Sequence, residues 1–246
     1  MNEEKKQSLS VHIKALRRVL IVSVAAVALL FVAFFYLICT PLVDFILEPV
    51  RTRGITVVAT QVSEALMMQF KACLVAAVVA GMPVIIWQVW TFVSPALYPK
   101  EKRLFAALFF AALFLFLLGV VFCYVYVFPL AIDLFWTATD GVATAMWSVN
   151  EYFSFVLSFV LPFGLMFELP VVIYMLARHG MVTYRKLSKI RKYVVLLIAI
   201  VAAILTPPDV ISQCMLAAPM LVLYEFSVQL SRFVKPVTPQ EHSEST

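Results

Sequence analysis

Charge is scarce in this chain. Asp, Glu, Lys and Arg make up 13% of its 246 residues, whereas a soluble domain carries about 25%. That shortage rules out a large solvated surface. Polar linkers are missing too: no stretch is long enough to separate two domains, so one domain is expected. There is no Gly-rich phosphate loop, no His-Glu-x-x-His and no Gly-x-Ser-x-Gly. The usual signatures of nucleotide binding, zinc hydrolysis and serine-nucleophile chemistry are therefore absent. Neither an enzyme nor an ATPase is indicated. No cofactor, metal or nucleic-acid partner is expected, and the energy for any transport must come from elsewhere. The four cysteines, Cys39, Cys73, Cys123 and Cys214, lack metal-ligand spacing and read as small apolar fillers. His12, His179 and His242 fall in polar flanks, so none can ligate a haem inside an apolar run.

What fills the chain instead is hydrophobic: 63% of residues, with a mean hydropathy of +0.99. The apolar residues come in long runs, and a run of roughly 20 spans a bilayer of about 30 Å. The runs predict an all-α, polytopic membrane protein with six transmembrane helices. They lie near Val19–Cys39, Leu66–Val89, Leu104–Phe128, Tyr152–Ala177, Tyr193–Leu205 and Val210–Ser227. The first is too long for a cleavable signal and lacks a small-residue cleavage pattern. The fifth is short, about 20 Å at 1.5 Å per residue, and Thr206-Pro207-Pro208-Asp209 ends it because proline cannot continue a helical ladder. A helix that short implies local thinning of the bilayer or shielding by neighbours. The sixth is also short, and the pair reads as a tight hairpin. Residues 1–18 form a tail, residues 19–233 the membrane domain, and residues 234–246 a polar, disordered end.

Basic residues set the orientation. Lys5, Lys6, Lys14, Arg17 and Arg18 precede the first run; Lys100, Lys102 and Arg103 follow the second. Arg178, Arg185, Lys186, Lys189, Arg191 and Lys192 separate the fourth and fifth, and Arg232 and Lys235 follow the sixth. The opposite side has Arg51 and Arg53, with Lys71 near it, and a third loop bearing Asp133, Asp140 and Glu151. Both termini are therefore expected in the cytoplasm, which an even number of spans satisfies. Between the first two runs, Pro41 to Pro49 reads as a short amphipathic piece lying on or capping the outer face. No internal repeat supports the inverted-repeat plan of many transporters.

Several polar residues need a reason to be where they are. Glu168 lies inside the fourth run, where a carboxylate costs roughly 2.5–3.5 kcal/mol on insertion scales. It must face protein or a wet cavity, either as a polar partner site, as a proton or ion relay, or as a protonated tie between helices. Pro162, Gly164 and Pro170 around it predict a bend that frees backbone carbonyls near the acid. Asp209 stands at the N-cap position of the sixth run. Thr206 and Gln213 bring hydrogen-bonding groups to the outer interface, where each bond to a matching helix is worth about 1 kcal/mol. Glu101 is the one acid in a loop stiffened by Pro95 and Pro99. It is either a neighbour of Lys100 and Lys102 with no special partner, or a carboxylate offered to an incoming guanidinium, which grips such a group as a two-pronged fork.

Taken together and in order, these segments resemble the TatC family. His12-Ile13-Lys14-Ala15-Leu16-Arg17-Arg18 is similar to its His-Leu-x-Glu-Leu-Arg tail motif, and Ser94-Pro95-Ala96-Leu97-Tyr98 with Glu101-Lys102-Arg103 to its first cytoplasmic loop. Phe128-Pro129-Leu130-Ala131, Phe167-Glu168-Leu169-Pro170 and Thr206-Pro207-Pro208-Asp209 with Ser212-Gln213 fit as well. The resemblance runs to about Phe233. It implies a cup-shaped bundle in a bacterial inner membrane that receives the Arg-Arg signal peptides of folded cargo. It also implies single-span TatA- and TatB-like partners, export driven by the proton-motive force, and a homo-oligomeric receptor complex. The signal-peptide site it implies is Glu101, Leu16, Arg17, Phe92 and Lys102. The intramembrane and partner-helix site is Glu168, Thr206 and Gln213, and Pro49, Pro207, Pro208, Asp209 and Tyr124 shape the loops and the receptor face. Without the resemblance, an ion- or proton-coupled secondary transporter using Glu168 is the alternative, and a membrane-embedded scaffold is a third reading.

One departure stands out. Where the family motif has a glutamate this chain has Ala15, and Lys14 beside it adds positive charge. One of the two acids expected to read the signal is missing. Glu3 and Glu4 could substitute, or recognition could rest on Glu101 alone.

Overall fold

The computed structural model of the chain describes residues 3–93, 102–139, 146–206 and 210–234. The helices are α1 (Glu3–Leu37), α2 (Cys39–Arg51), α3 (Glu64–Val93), α4 (Lys102–Phe122), α5 (Phe128–Thr139), α6 (Val149–Phe167), α7 (Leu169–Arg178), α8 (Tyr184–Leu205) and α9 (Val210–Phe233), with strands β1 (Thr56–Val58) and β2 (Met146–Ser148). Among the described residues, five stretches are long and apolar enough to cross a membrane: Lys14–Leu37, Glu64–Thr91, Ala106–Thr137, Val149–Arg178 and Val210–Phe233. The expected fifth run is the second half of α8. Its first half carries Arg185, Lys186, Lys189, Arg191 and Lys192, so the uninterrupted apolar part of the helix is Tyr193–Leu205.

The chain divides into two compact units, Met1–Leu113 with Ala138–Leu157, and Phe114–Thr137 with Ser158–Thr246. In the first, α1 and α3 pack antiparallel. Phe70 of α3 stacks on Phe31 and Phe35 of α1 at 5.9 and 5.1 Å, while Gly81 lies against Val27 and Leu30. The Pro41–Pro49 piece is the 13-residue helix α2. Val43, Leu47 and Val50 recur at helical spacing and form its buried stripe; on its exposed side Asp44 and Arg51 pair at 2.7 Å. Pro49 near its end cannot donate, but its carbonyl accepts from Arg53 Nη1 at 2.8 Å and Thr52 Oγ1 at 3.2 Å. Gly54, at φ +71°, makes the left-handed turn that leads to β1.

The strands were not legible in the sequence. β1 and β2 pair in parallel, with Thr56 opposite Met146 and Val58 opposite Ser148, and at three residues each they are too short to leave an alternation signal. Glu64 holds this pair to the start of α3. Its buried carboxylate accepts from the Thr60 backbone N–H and Thr60 Oγ1, both at 2.7 Å, and from Ser148 Oγ at 3.3 Å. Tyr152 of α6 adds a hydroxyl bond to the Ile46 carbonyl at 2.7 Å.

In the second unit the third run does not stop at Phe128. Residues Cys123–Val127 widen into a π turn, and the helix continues as α5 to Thr139. Pro129 explains the turn. It has no N–H for the carbonyl four residues back, and its ring would collide there. The wider register resolves this: the Phe128 N–H bonds Cys123, five residues back. Asp133 is consequently a helical residue of α5 and not part of a loop.

The fourth run breaks into α6 and α7 at Glu168. Here α4 and α6 approach closely through glycines. A Cβ on Gly119 would lie 2.8 Å from the Phe167 ring and 2.9 Å from the Phe163 carbonyl. Gly119→Val is therefore expected to overpack this contact. The cost should be about 1–3 kcal/mol, measurable as a lowered melting temperature of the purified protein. An unchanged melting temperature would show that the contact is loose.

The remaining helices also run longer than expected. α8 begins nine residues before the apolar run, so Arg191 is helical. It pairs with Glu225 of α9 at 2.7 Å, and Gln229 reaches the same carboxylate oxygen at 3.0 Å. α9 has 24 residues, not a short span. Its buried stripe of Leu216, Met220, Tyr224 and Val228 packs against α7 and α8. The tail before Val19 is likewise helical, continuous with α1 from Glu3.

Candidate functional site

Glu168 occupies the one-residue break between two helices. Its backbone remains in the helical region at φ −75° and ψ −19°, and its own N–H still reaches the Leu165 carbonyl at 3.1 Å. Pro170 follows at the second position of α7, where a missing N–H does least harm, but it leaves the Met166 carbonyl without the usual donor. The proline-rich sequence around an intramembrane acid thus yields the interrupted helix expected of it. The Glu168 side chain does not cap α7. Its Oε1 is buried and has no hydrogen-bond partner among the described residues. A buried carboxyl oxygen left open costs about 1–3 kcal/mol or more, a cost that a polar group arriving from outside the chain would remove.

The α8–α9 hairpin uses its polar groups mostly on itself. Thr206, buried at the end of α8, donates its hydroxyl to the Ala202 carbonyl at 2.8 Å. Gln213 on the first turn of α9 donates Nε2 to the Ala199 carbonyl at 3.0 Å. This bond ties the hairpin closed and leaves the amide oxygen of Gln213 as the acceptor available to another helix. Tyr124, on the π turn, sets its ring edge-on to Phe128 at 6.2 Å.

In the first unit, Leu16 and Arg17 are exposed on α1. Beside them is a cavity of about 460 Å³ lined by Lys14, Ala15, Arg18, Val19, Trp87, Gln88 and Thr91. Ala15 therefore opens onto a cleft where the family motif would set a carboxylate, and Lys14 and Arg18 give that cleft a positive rim. Glu101, Pro207, Pro208 and Asp209 lie outside the described residues, as do the side chains of Phe92 and Lys102.

Sequence reasoning missed Lys71. It sits seven residues inside the second span, and its ammonium donates to Asn150 and, at 2.7 Å, to Ser154 of α6. Its sequence signal is a lone cation in an apolar run. Asn150 and Ser154 lie about eighty residues away in sequence, so nothing local marks the contact. Among the described residues no group of His, Cys, Asp and Glu is arranged to hold a metal.

The family model described as Sec-independent protein translocase protein (TatC) matches residues 11–219. This chain belongs to the TatC family. The TatC protein of Carboxydothermus hydrogenoformans is 38% identical over 236 residues, covering 95% of this chain and 96% of that protein. That of Haemophilus influenzae is 36% identical over 239 residues, covering 96% and 93%. A crystal structure of the twin arginine translocase receptor TatC matches with a TM-score of 0.84 at 35% identity, over 89% of this chain and 97% of that one. The chain is therefore a membrane-embedded component of a Sec-independent protein translocase and not an enzyme. An ion-coupled transporter is not favoured.

Proposed function

We propose that this chain is the signal-peptide receptor and core subunit of a twin-arginine translocase in a bacterial inner membrane. It binds the Arg-Arg signals of folded proteins and recruits TatA- and TatB-like single-span partners, within a homo-oligomeric receptor complex, for export driven by the proton-motive force. Both termini lie in the cytoplasm, and the thirteen apolar residues of α8 complete six spans. The distribution of lysine and arginine supports this orientation. The observation that carries the reading is the unsatisfied Glu168 oxygen inside a membrane-spanning segment, since intramembrane acids persist where they meet a substrate or a partner.

At the cytoplasmic face Glu101 takes the signal's guanidinium groups, with Leu16, Arg17, Phe92 and Lys102 around it. Within the membrane Glu168 takes a polar group from a partner helix or from the inserted signal. The Gln213 amide oxygen and the Thr206 end of α8 form the partner-helix contact, while Pro49, Pro207, Pro208 and Asp209 hold the loops in shape.

Expression in a bacterium lacking its own TatC, together with single-span partners from this chain's genomic neighbourhood, tests the reading. A folded reporter with an Arg-Arg signal should reach the periplasm, and its Lys-Lys counterpart should stay inside. A stably inserted protein that exports neither would sink the assignment.

A further inference from the structure

Lys71 carries a charge that the described residues do not neutralise. Asn150 and Ser154, the partners of its ammonium, are both neutral, and no described carboxylate lies within ion-pair distance. At 1.5 Å per residue it sits about 10 Å along α3 from Glu64, where the membrane-crossing stretch begins. It is also the charged residue in the lining of a cavity of about 620 Å³ between α1 and α3. Val24, Val27 and Phe31 of α1 and Met67, Phe70 and Leu74 of α3 line that cavity. Val24, Met67, Phe70 and Leu74 remain exposed, so the cavity opens sideways as a trench.

The trench runs from Phe31 to Ser23 along α1, about 12 Å, roughly the reach of the upper part of an acyl chain. An ammonium beside an apolar trench matches an anionic headgroup over a hydrocarbon tail, the pattern of basic pockets between transmembrane helices that hold anionic lipids. We propose that this site binds one anionic phospholipid, with its phosphate on the third N–H of Lys71 and one acyl chain along α1 and α3. The lipid belongs to the leaflet on the Glu64 side of α3. Asn150 and Ser154 aim the ammonium, and the phosphate supplies the charge they lack. The site is independent of the receptor reading and stands or falls without it.

Native mass spectrometry of the full-length purified chain tests this, with dioleoyl phosphatidylglycerol titrated against dioleoyl phosphatidylcholine. One phosphatidylglycerol should be retained about tenfold more tightly than phosphatidylcholine, as expected for a charge-assisted hydrogen bond. Lys71→Met should erase that preference, and Lys71→Arg should restore most of it. Val27→Trp, which fills the trench and leaves Lys71 in place, should also weaken retention, so the test survives if Lys71→Met fails to fold. Equal retention of the two lipids, or undiminished preference in both Lys71→Met and Val27→Trp, would overturn the proposal. So would displacement by soluble glycerophosphoglycerol at the lipid's own concentration, because the headgroup alone would then account for binding. Displacement by a single-span partner peptide with no lipid retained would assign the trench to a protein helix instead.

Discussion

Glu168→Leu is expected to abolish export of arginine-pair cargo while leaving signal-peptide capture at the cytoplasmic face intact. The acid stands where α6 ends and α7 begins, and its buried oxygen has no partner of its own. Leucine therefore breaks no hydrogen bond of that oxygen to the described residues. An interhelical hydrogen bond in a membrane is worth about 0.6–2 kcal/mol, so cross-linking to a single-span partner should fall roughly three- to thirtyfold. Export needs every successive contact and should fall further. Glu168→Gln keeps an acceptor and a similar volume, and it separates two roles. If hydrogen bonding is what matters, the amide retains most partner cross-linking; if the proton or the charge matters, it behaves like leucine. Both variants should melt near the unmodified protein. A Glu168→Leu protein that exports normally would return the acid to a merely structural role.

Glu101→Ala should abolish detectable binding of a twin-arginine peptide. A guanidinium meets a carboxylate through two parallel charge-assisted bonds. Losing both, at about 1.5–3 kcal/mol per bond to a charged group, should lower affinity by at least about a hundredfold. The effect should be larger here than in a relative that keeps both acids, because Ala15 leaves Glu101 without its companion. The converse change follows from the same geometry. Ala15→Glu would place a carboxylate beside the cleft formed with Trp87, Gln88 and Thr91. It should tighten peptide binding by up to about fivefold, the worth of an exposed pair, with the gain shrinking as salt is raised. A neutral or harmful Ala15→Glu would mean that Lys14 and Arg18 have rewired the tail for another ligand.

Much of the fold was legible because hydrophobic run length reports membrane crossing directly. The first, second and fourth runs, the amphipathic α2 and the break at Glu168 all follow from apolar spacing and proline placement. The errors have physical sources. The apolar run near Leu104–Phe128 understates the third helix, because a π turn at Cys123–Val127 carries the chain past Pro129 into α5. The basic first half of α8 carries no apolar signal, yet helical backbone tolerates charge wherever water or headgroups can reach it. The strand pair and its clasp by Glu64 depend on residues more than eighty positions apart, and no local pattern announces such a contact. Lys71 shows the same limit in the site: its charge was visible, but Asn150 and Ser154, which aim it, were not. For Thr206 and Gln213 the residue types were apparent, but not that both donors are used within the hairpin.

The central claim is that this chain reads an arginine pair. Its most direct test is the affinity of the purified chain, reconstituted in nanodiscs without partners, for a fluorescent signal peptide carrying Arg-Arg compared with one carrying Lys-Lys. The account predicts that Arg-Arg binds at least about tenfold more tightly, since lysine cannot supply the paired donors a carboxylate accepts. Equal affinities for the two peptides, or no binding to a folded and stable protein, would contradict it.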